Sequence, residues 1–293
     1  MKHLSLFLIF ILLAGMLSGC GKAPQADIAA TTLPVYEFTV ILCQGTGLTV
    51  TRLVTENVSC LHDYTLKTAQ LRAIQGAKVL VINGAGLENF LEDALTGAET
   101  ILDASENLTL LEGHEHEHDH DHDHGHVHEN DPHLWLSPHC AAAMAENIFR
   151  GLCEAFPEHT KHFAANLPGL LEQLEALAHY GEETLRDLSC RELITFHDGF
   201  GYLAESFGLT VLEAVEEESG SEASAAQLME LCRLVEDHGL PAIFTERSGS
   251  VSAASVISRE TGVPVFALDM AMAGDSYFEA MYHNIQTLRE ALQ

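Results

Sequence analysis

Positive charge is scarce in this sequence. Its 293 residues contain 14 Lys and Arg against 43 Asp and Glu, which gives a formal net charge of −29. Nucleic-acid binding needs clustered cations that neutralise phosphates, so we expect no nucleic-acid partner. An acidic surface suits an exported protein or one that attracts cations. Hydrophobic residues make up 47% of the chain, enough for a substantial core.

Closely spaced cysteine pairs are also missing, since none of the seven cysteines forms a CxxC motif. A disulfide between Cys43 and Cys60 and a pair of buried free thiols are both compatible with the spacing. The pairing therefore stays open for the six cysteines that follow Cys20: Cys43, Cys60, Cys140, Cys153, Cys190 and Cys232.

One long apolar run is present, at the N-terminus. The segment "MKHLSLFLIFILLAGMLSGCGKAPQ" has a cation at Lys2, an apolar stretch and small residues before Cys20. This pattern predicts a secretory signal over residues 1–20, and Leu17-Ser18-Gly19-Cys20 resembles a bacterial lipobox. We therefore expect an exported protein that acyl chains on Cys20 anchor to the outer face of the cytoplasmic membrane or to a periplasm-facing membrane, without a spanning helix.

Strand and helix patterns alternate through the first half. After a predicted linker, "KAPQADIAATT", the stretch "VTRLVT" reads as a strand, "TLKTAQLRAIQGA" as a helix that stops at Gly76, and "KVLVING" as a buried strand. This βαβ rhythm predicts a parallel sheet. A histidine-rich segment, residues 112–130, interrupts the rhythm and has no apolar face, which indicates a loop.

Two long helical patterns lie in the middle of the chain. One starts at Ser137-Pro138, and the other runs from Glu158 to about Leu188 with a possible break at Pro168. Strand and helix patterns then alternate again to the end. We predict an α/β protein of two lobes with parallel sheets flanked by helices: residues 21–157, a linking helix over 158–188, and residues 189–293.

Four metal-ligand side chains lie at strand ends or beside turns. They are His62, His133, His197 and Asp269, two in each half of the chain. The carboxyl ends of parallel strands face a cleft, so these side chains can converge there. Three imidazoles and one carboxylate suit tetrahedral zinc.

Several motifs give the chain a specific resemblance. The lipobox, "CLHDYTLKTAQLRAIQGAKVLVINGAGLENFLEDAL", the acidic histidine-rich loop, "DPHLWLSP", "TFHDGFGYLAESFG", "IFTERSGS", "ETGVPVFALD" and "GDSYFEAMYHNIQTL" occur in the order found in ZnuA-like zinc-binding lipoproteins of bacterial ABC importers. The resemblance implies two α/β lobes joined by a rigid long helix, a metal between them, and an ABC permease with its ATPase as partners.

The resemblance also implies roles for single residues. His62, His133 and His197 match the family's three histidines, and Asp269 matches its carboxylate. Manganese and iron members carry glutamate at the third position, so His197 favours zinc over manganese. The first motif departs from the usual Pro-His, because Leu61 precedes His62. The nearby Cys60 thiolate competes as a ligand only if it points the same way as His62, which we do not expect. Secondary candidates that support the ligands are Glu246 and Asp198.

The alternating histidines of the loop have a different expected role. Mobile imidazoles among carboxylates bind several divalent ions weakly, so collection, buffering and sensing of zinc are all compatible with the pattern. This auxiliary set comprises His114, His116, His118, His120, His122, His124, His126 and His128.

The predicted function is zinc capture without catalysis by a protein that we expect to be a monomer. A site closed by four protein ligands leaves no activated water for hydrolysis. Two alternatives stay open. One is a zinc-dependent hydrolase in which three histidines hold a metal-bound water and Asp269 acts as general base, and the other is a surface adhesin or zinc chaperone without a transporter.

Overall fold

The computed structural model describes residues 26–56, 61, 64–95, 97–113, 130–215, 224–249 and 251–293. Within these residues, eight strands form two separate four-stranded sheets, and every pairing inside each sheet is parallel. The two halves of the chain supply one sheet each. The predicted α/β class with two parallel sheets and a long helix is therefore confirmed.

The first sheet has the strand order β2-β1-β3-β4. Its buried centre is formed by apolar strands, and helices cover it. The elements of this half are β1 (Ile28–Ala30), α1 (Leu33–Leu42), β2 (Val50–Arg52), α2 (Thr68–Gly76), β3 (Val79–Ile82), α3 (Glu92–Leu95), β4 (Thr100–Asp103) and α4 (Pro138–Ala155).

The prediction of a linker over "KAPQADIAATT" is wrong at its C-terminal end. Ile28–Ala30 form the inner strand β1, whose three residues are fully buried between β2 and β3. A strand of three residues with two alanines shows no alternation and little β propensity, so sequence pattern did not reveal it. Parallel pairing on both sides keeps it in place.

The second sheet repeats this arrangement with the order β6-β5-β7-β8. In both sheets the first strand of the half pairs with the second on one side and with the third on the other. The elements are β5 (Glu192–Thr195), α6 (Gly201–Ser206), β6 (Thr210–Ala214), α7 (Ala225–His238), β7 (Ile243–Glu246), α8 (Ser252–Thr261), β8 (Val265–Leu268) and α9 (Tyr277–Leu292).

A single helix of 25 residues, α5 (Thr160–Thr184), runs between the two halves and packs along α4. The helix continues through Pro168, so it does not end at the predicted break. Its buried residues form one apolar stripe: Phe163, Leu170, Leu174, Leu177, Ala178 and Gly181.

Direct contacts also join the halves near their buried middle. The Trp135 indole donates to the carbonyl of Met270 at 2.7 Å, and the Tyr277 hydroxyl donates to the carbonyl of Trp135 at 2.8 Å. Both rings are fully buried. The Glu37 carboxylate accepts from the backbone N–H of Tyr277 at the start of α9, where the helix dipole favours a negative charge. These contacts fix the segment after β8 against the first half.

Other sequence predictions fall partly outside the described residues. Cys20, Cys60 and the histidines of the loop lie there. Among the residues that are described, Cys43, Cys140, Cys153, Cys190 and Cys232 are free thiols. No helix of the described part of the chain is long and apolar enough to cross a membrane.

Candidate metal centre

His133 enters the site from the first half. It lies three residues after an antiparallel bridge between Glu112 and Asn130, and directly before a short 3-10 helix, Leu134–Leu136. Its imidazole is almost fully buried, and the ring centre lies 5.3 Å from that of Trp135. The chain therefore presents this histidine from a packed turn.

The Asp131 carboxylate orients the His133 ring. One oxygen, Oδ1, lies 2.8 Å from His133 Nδ1 and accepts the His133 backbone N–H at 2.9 Å. A carboxylate on Nδ1 fixes that nitrogen as the donor and leaves Nε2 for a metal, and it also makes the ring a stronger ligand. Burial opposes ionisation of Asp131, but the hydrogen bond and charge of His133 outweigh it and lower the pKa of the carboxyl.

Tyr202 of α6 connects this turn to the second half. Its hydroxyl accepts the backbone N–H of Leu111 at 2.8 Å and donates to the carbonyl of Asp131 at 3.2 Å. The backbone N–H of Asp131 in turn donates to the carbonyl of Leu111 at 2.9 Å. The two chain segments that flank the histidine-rich stretch are thus held together beside the site.

His197 meets His133 from the opposite half. It follows β5 by two residues, and the centres of the two imidazole rings are 5.4 Å apart with their planes at 84°. Gly199 makes this approach possible. A Cβ at that position would lie 2.7 Å from Met270 Cε and 2.8 Å from His197 Cδ2, distances that Cβ atoms essentially never adopt, and 3.0 Å from His133 Cε1, which is tight.

Glu246 is the last residue of β7 and is only 4% exposed. Its Oε2 lies 3.7 Å from His197 Nδ1, and within the described residues that oxygen has no hydrogen-bond partner. Burial, together with the nearby negative charge of Asp269, raises the pKa of Glu246 to about 8. A buried carboxylate oxygen without a partner is costly unless a cation or ligand reaches it.

Asp269 follows β8 and has a firmly held backbone. Asn284 of α9 accepts its N–H and donates to its carbonyl, each at 2.7 Å. The carboxylate is engaged on both oxygens, since Oδ1 accepts the N–H of Ala271 at 2.8 Å and Oδ2 lies 3.0 Å from Arg247 Nη1. Ala271 has a φ of 52°, a left-handed conformation that the Asp269 hydrogen bond stabilises.

Of the predicted side chains, the structure places His197 beside both His133 and Glu246. Asp269 lies close enough to raise the Glu246 pKa but is paired with Arg247. Within the described ranges no three His, Cys, Asp or Glu side chains are grouped tightly enough to hold a metal ion. His62 lies outside those ranges, and Asp198 follows His197 in the turn before α6.

Sequence reasoning missed three residues of this region: Asp131, Gly199 and Arg247. Asp131 precedes His133 by two positions, a spacing that would have suggested a turn in which an Asp side chain bonds the backbone and ring that follow. Gly199, in "HDGFG", carried a weaker signal, since glycine beside a ligand histidine often marks close approach. The contact of Arg247 with Asp269 depends on the pairing of β7 with β8, which no local pattern reveals.

The donors come from both halves and from the carboxyl edge of the second sheet. Imidazole nitrogens and carboxylate oxygens are the ligand types of a divalent transition-metal site. The fold is that of a two-lobed α/β protein, and this arrangement places metal-ligand side chains of both lobes side by side.

Comparison with known proteins identifies the family. The chain belongs to the ZnuA family, described as the zinc-uptake complex component A, periplasmic, whose family model matches residues 28–291. A metal-binding protein of Treponema pallidum (strain Nichols) is 30% identical over 240 residues, covering 78% of this chain and 76% of that protein.

A second relative and a solved structure are also similar to this chain. The zinc-binding lipoprotein AdcA of Streptococcus pneumoniae serotype 4 is 32% identical over 308 residues, which cover 99% of this chain but only 61% of AdcA. A crystal structure of ZnuA superposes with a TM-score of 0.79 at 28% identity and covers 92% of this chain and 100% of that one. The chain therefore spans the whole of a ZnuA fold and about three fifths of AdcA.

Proposed function

We propose that this protein captures Zn²⁺ outside the cytoplasmic membrane and delivers it to an ABC permease that an ATPase drives. The ion would be held between the lobes by His62, His133, His197 and Asp269. The observation that carries the proposal is the pair of imidazoles, buried His133 and partly buried His197, whose ring centres lie 5.4 Å apart and which come from opposite halves of the chain. The ZnuA family membership supports the transport role.

The donor set favours zinc over manganese. Zinc accepts imidazole nitrogen readily, whereas manganese prefers carboxylate and water oxygens. Two histidines are in contact here, and Asp131 holds the Nδ1 of one of them so that its Nε2 points away from the carboxylate. An oriented ring loses less freedom on binding and is a stronger base, which tightens a zinc site.

The proposed set of four protein ligands would bind zinc without catalysing a reaction. A zinc enzyme keeps one coordination position for water, whereas four protein ligands close the shell. Membership of a family whose members are solute-binding components of a transporter supports a non-enzymatic role over the hydrolase alternative. It likewise disfavours an adhesin or zinc chaperone that works without a transporter.

The remaining parts of the proposal concern location and the loop. The name of the AdcA lipoprotein supports an acyl anchor, which we assign to Cys20. We propose domain boundaries at residues 21–157, 158–188 and 189–293, a monomeric protein, and an auxiliary, weakly binding role for the histidines between 114 and 128. Glu246 and Asp198 would support the ligands and would not bind the metal directly.

Equilibrium binding of zinc and of manganese tests this function. We would compare the wild-type chain, His197→Glu and a chain that lacks residues 114–128. One zinc ion bound tightly by the wild type and by the deletion variant, with a weakened and more manganese-tolerant His197→Glu, would support the proposal. Loss of tight binding on deletion of the loop, or a zinc-dependent hydrolase activity, would contradict it.

A further inference from the structure

Arg247 places a guanidinium beside the proposed carboxylate ligand. It directly follows Glu246 at the end of β7, and its backbone N–H donates to the carbonyl of Leu268 at 2.8 Å, which continues the pairing of β7 with β8. Its Nη1 lies 3.0 Å from Asp269 Oδ2. The register of the two strands therefore fixes the backbone of Arg247 beside Asp269.

The two partners of this ion pair differ in exposure. The Arg247 side chain is 57% exposed, and that of Asp269 is 22% exposed. The guanidinium thus covers the carboxylate from the solvent side. Because Arg247 is exposed, it can move away at small cost, and an exposed ion pair of this kind is weak.

Both carboxylate oxygens of Asp269 have a partner in this arrangement. Oδ1 accepts the N–H of Ala271, a bond that holds the turn after β8, and Oδ2 faces Arg247. A divalent ion that takes Oδ2 would have to share it with a guanidinium of the same sign or displace that group. Either course reduces the free energy that the carboxylate contributes to metal binding.

We propose that Arg247 is a specificity-determining residue of this site, which acts through Asp269 by competing with the metal for Oδ2; the inference rests on the proposed zinc-binding function. A soft or borderline ion such as Zn²⁺ draws most of its binding from imidazoles, and less from the carboxylate that Arg247 contacts. Mn²⁺ relies on carboxylate oxygen, so the competition weakens its binding more. Arg247 therefore widens the preference for zinc.

The charge environment of Arg247 strengthens this argument. Burial, and after it the negative charge of Asp269, raises the pKa of Glu246, and Arg247 pairs with Asp269 at 3.0 Å. Removing the guanidinium leaves two neighbouring carboxyl groups uncompensated. We therefore expect every divalent ion to bind more tightly, and the oxygen-preferring ion to gain most.

The test compares Arg247→Gln with Arg259→Gln. Arg259 lies on α8 in the same half, is exposed and pairs with its neighbour Glu260, so its substitution removes the same unit of charge away from Asp269. Dissociation constants for Zn²⁺ and for Mn²⁺ would be measured by competition with a chromophoric chelator. Thermal unfolding of each variant would check that folding is unchanged.

Arg247→Gln should bind zinc about twofold and manganese about fivefold more tightly than the wild type, so the preference for zinc shrinks about two- to threefold. Arg259→Gln should keep the wild-type ratio, and Arg247→Lys should restore most of it. A ratio in Arg247→Gln equal to that of Arg259→Gln, or weaker binding of both ions, would overturn the inference and leave the proposed function standing. Absence of tight zinc binding in the wild type would instead remove the proposed function and this inference with it.

Discussion

The two sheets have the same strand order but different polar groups at their carboxyl edges. In the first half, the Glu88 carboxylate accepts hydrogen bonds from the Thr31 hydroxyl at 2.7 Å and from the backbone N–H groups of Asn83 and Gly84 at 2.8 and 3.0 Å. In the second half, Glu246 is just as buried, yet its Oε2 has no hydrogen-bond partner among the described residues.

The comparison separates a carboxylate with a complete hydrogen-bond network from one that lacks such a network. Both side chains are almost fully buried, and burial raises the pKa of both. The network around Glu88 compensates its burial and ties the loop after β3 to the end of β1. Glu246 instead faces His197, near Asp269. Burial alone therefore does not indicate function, whereas burial without compensation does.

Removal of a proposed imidazole ligand should have the largest effect. His197→Ala should weaken zinc binding at least about 100-fold, because one of four ligands is lost from a site whose binding free energy those ligands share. His179→Ala, an exposed histidine of α5, is the matched control and should leave zinc binding unchanged. Competition titration measures both, and equal affinities would contradict the assignment of His197.

Substitution of the residue that orients His133 should come next. Asp131→Asn keeps the shape of the side chain but removes its charge, so the ring becomes less basic and its tautomer less fixed. We expect zinc affinity to fall about 10- to 100-fold. Titration calorimetry checks the change, with thermal unfolding as the test for folding. Wild-type affinity in a folded Asp131→Asn would show that the contact is only structural.

Exchange of each glutamate for glutamine addresses the comparison directly. Glu88→Gln turns one acceptor into a donor that faces backbone N–H groups, so the free energy of unfolding should fall by about 2 kcal/mol while the zinc affinity of the folded protein is unchanged. Glu246→Gln removes an uncompensated buried carboxyl, so metal-free stability should stay equal or rise, while zinc binding weakens. Urea unfolding with a chelator present measures stability, and the reverse pattern would break the distinction between the two sites.

The smallest effect should come from crowding the two rings. Gly199→Ala puts a methyl group less than 3.0 Å from His197 and Met270 and 3.0 Å from His133, so these side chains must shift. Zinc affinity should drop about fivefold, because ligand placement within about 0.5 Å matters in metal sites. The control is Gly169→Ala on α5, where a Cβ meets no atom within 4 Å. Identical affinity in both variants would mean that Gly199 does not set the approach of the rings.

Much of the fold followed from local pattern. The helix start at Ser137 and Pro138, the end of α7 at Gly239 and the buried strand β3 each depend on capping or hydrophobic residues close in sequence. The strand β1 was missed, because three short residues are recognisable as a strand only through their neighbours in the sheet. The break predicted at Pro168 is also absent, because the packing of α5 keeps the helix continuous there.

The candidate site, like the fold, was predictable from the sequence only in part. Residue type and motif pointed to His133, His197 and Asp269, and to Glu246 as a secondary candidate, which lies at the end of β7. The partners of these side chains were not predictable, since the contacts of Arg247 with Asp269 and of Tyr202 with the Asp131 turn join residues 22 and 71 positions apart. Such contacts depend on sheet register and on how the halves pack.

A crystal structure of the zinc-loaded protein, with anomalous diffraction measured on both sides of the zinc absorption edge, tests the central claim most directly. The account predicts one strong zinc peak between His133 Nε2 and His197, with Asp269 as an oxygen ligand, His62 completing the shell, and Arg247 displaced from Oδ2. A fully occupied peak bound by the histidines between 114 and 128, with none between the lobes, would contradict it.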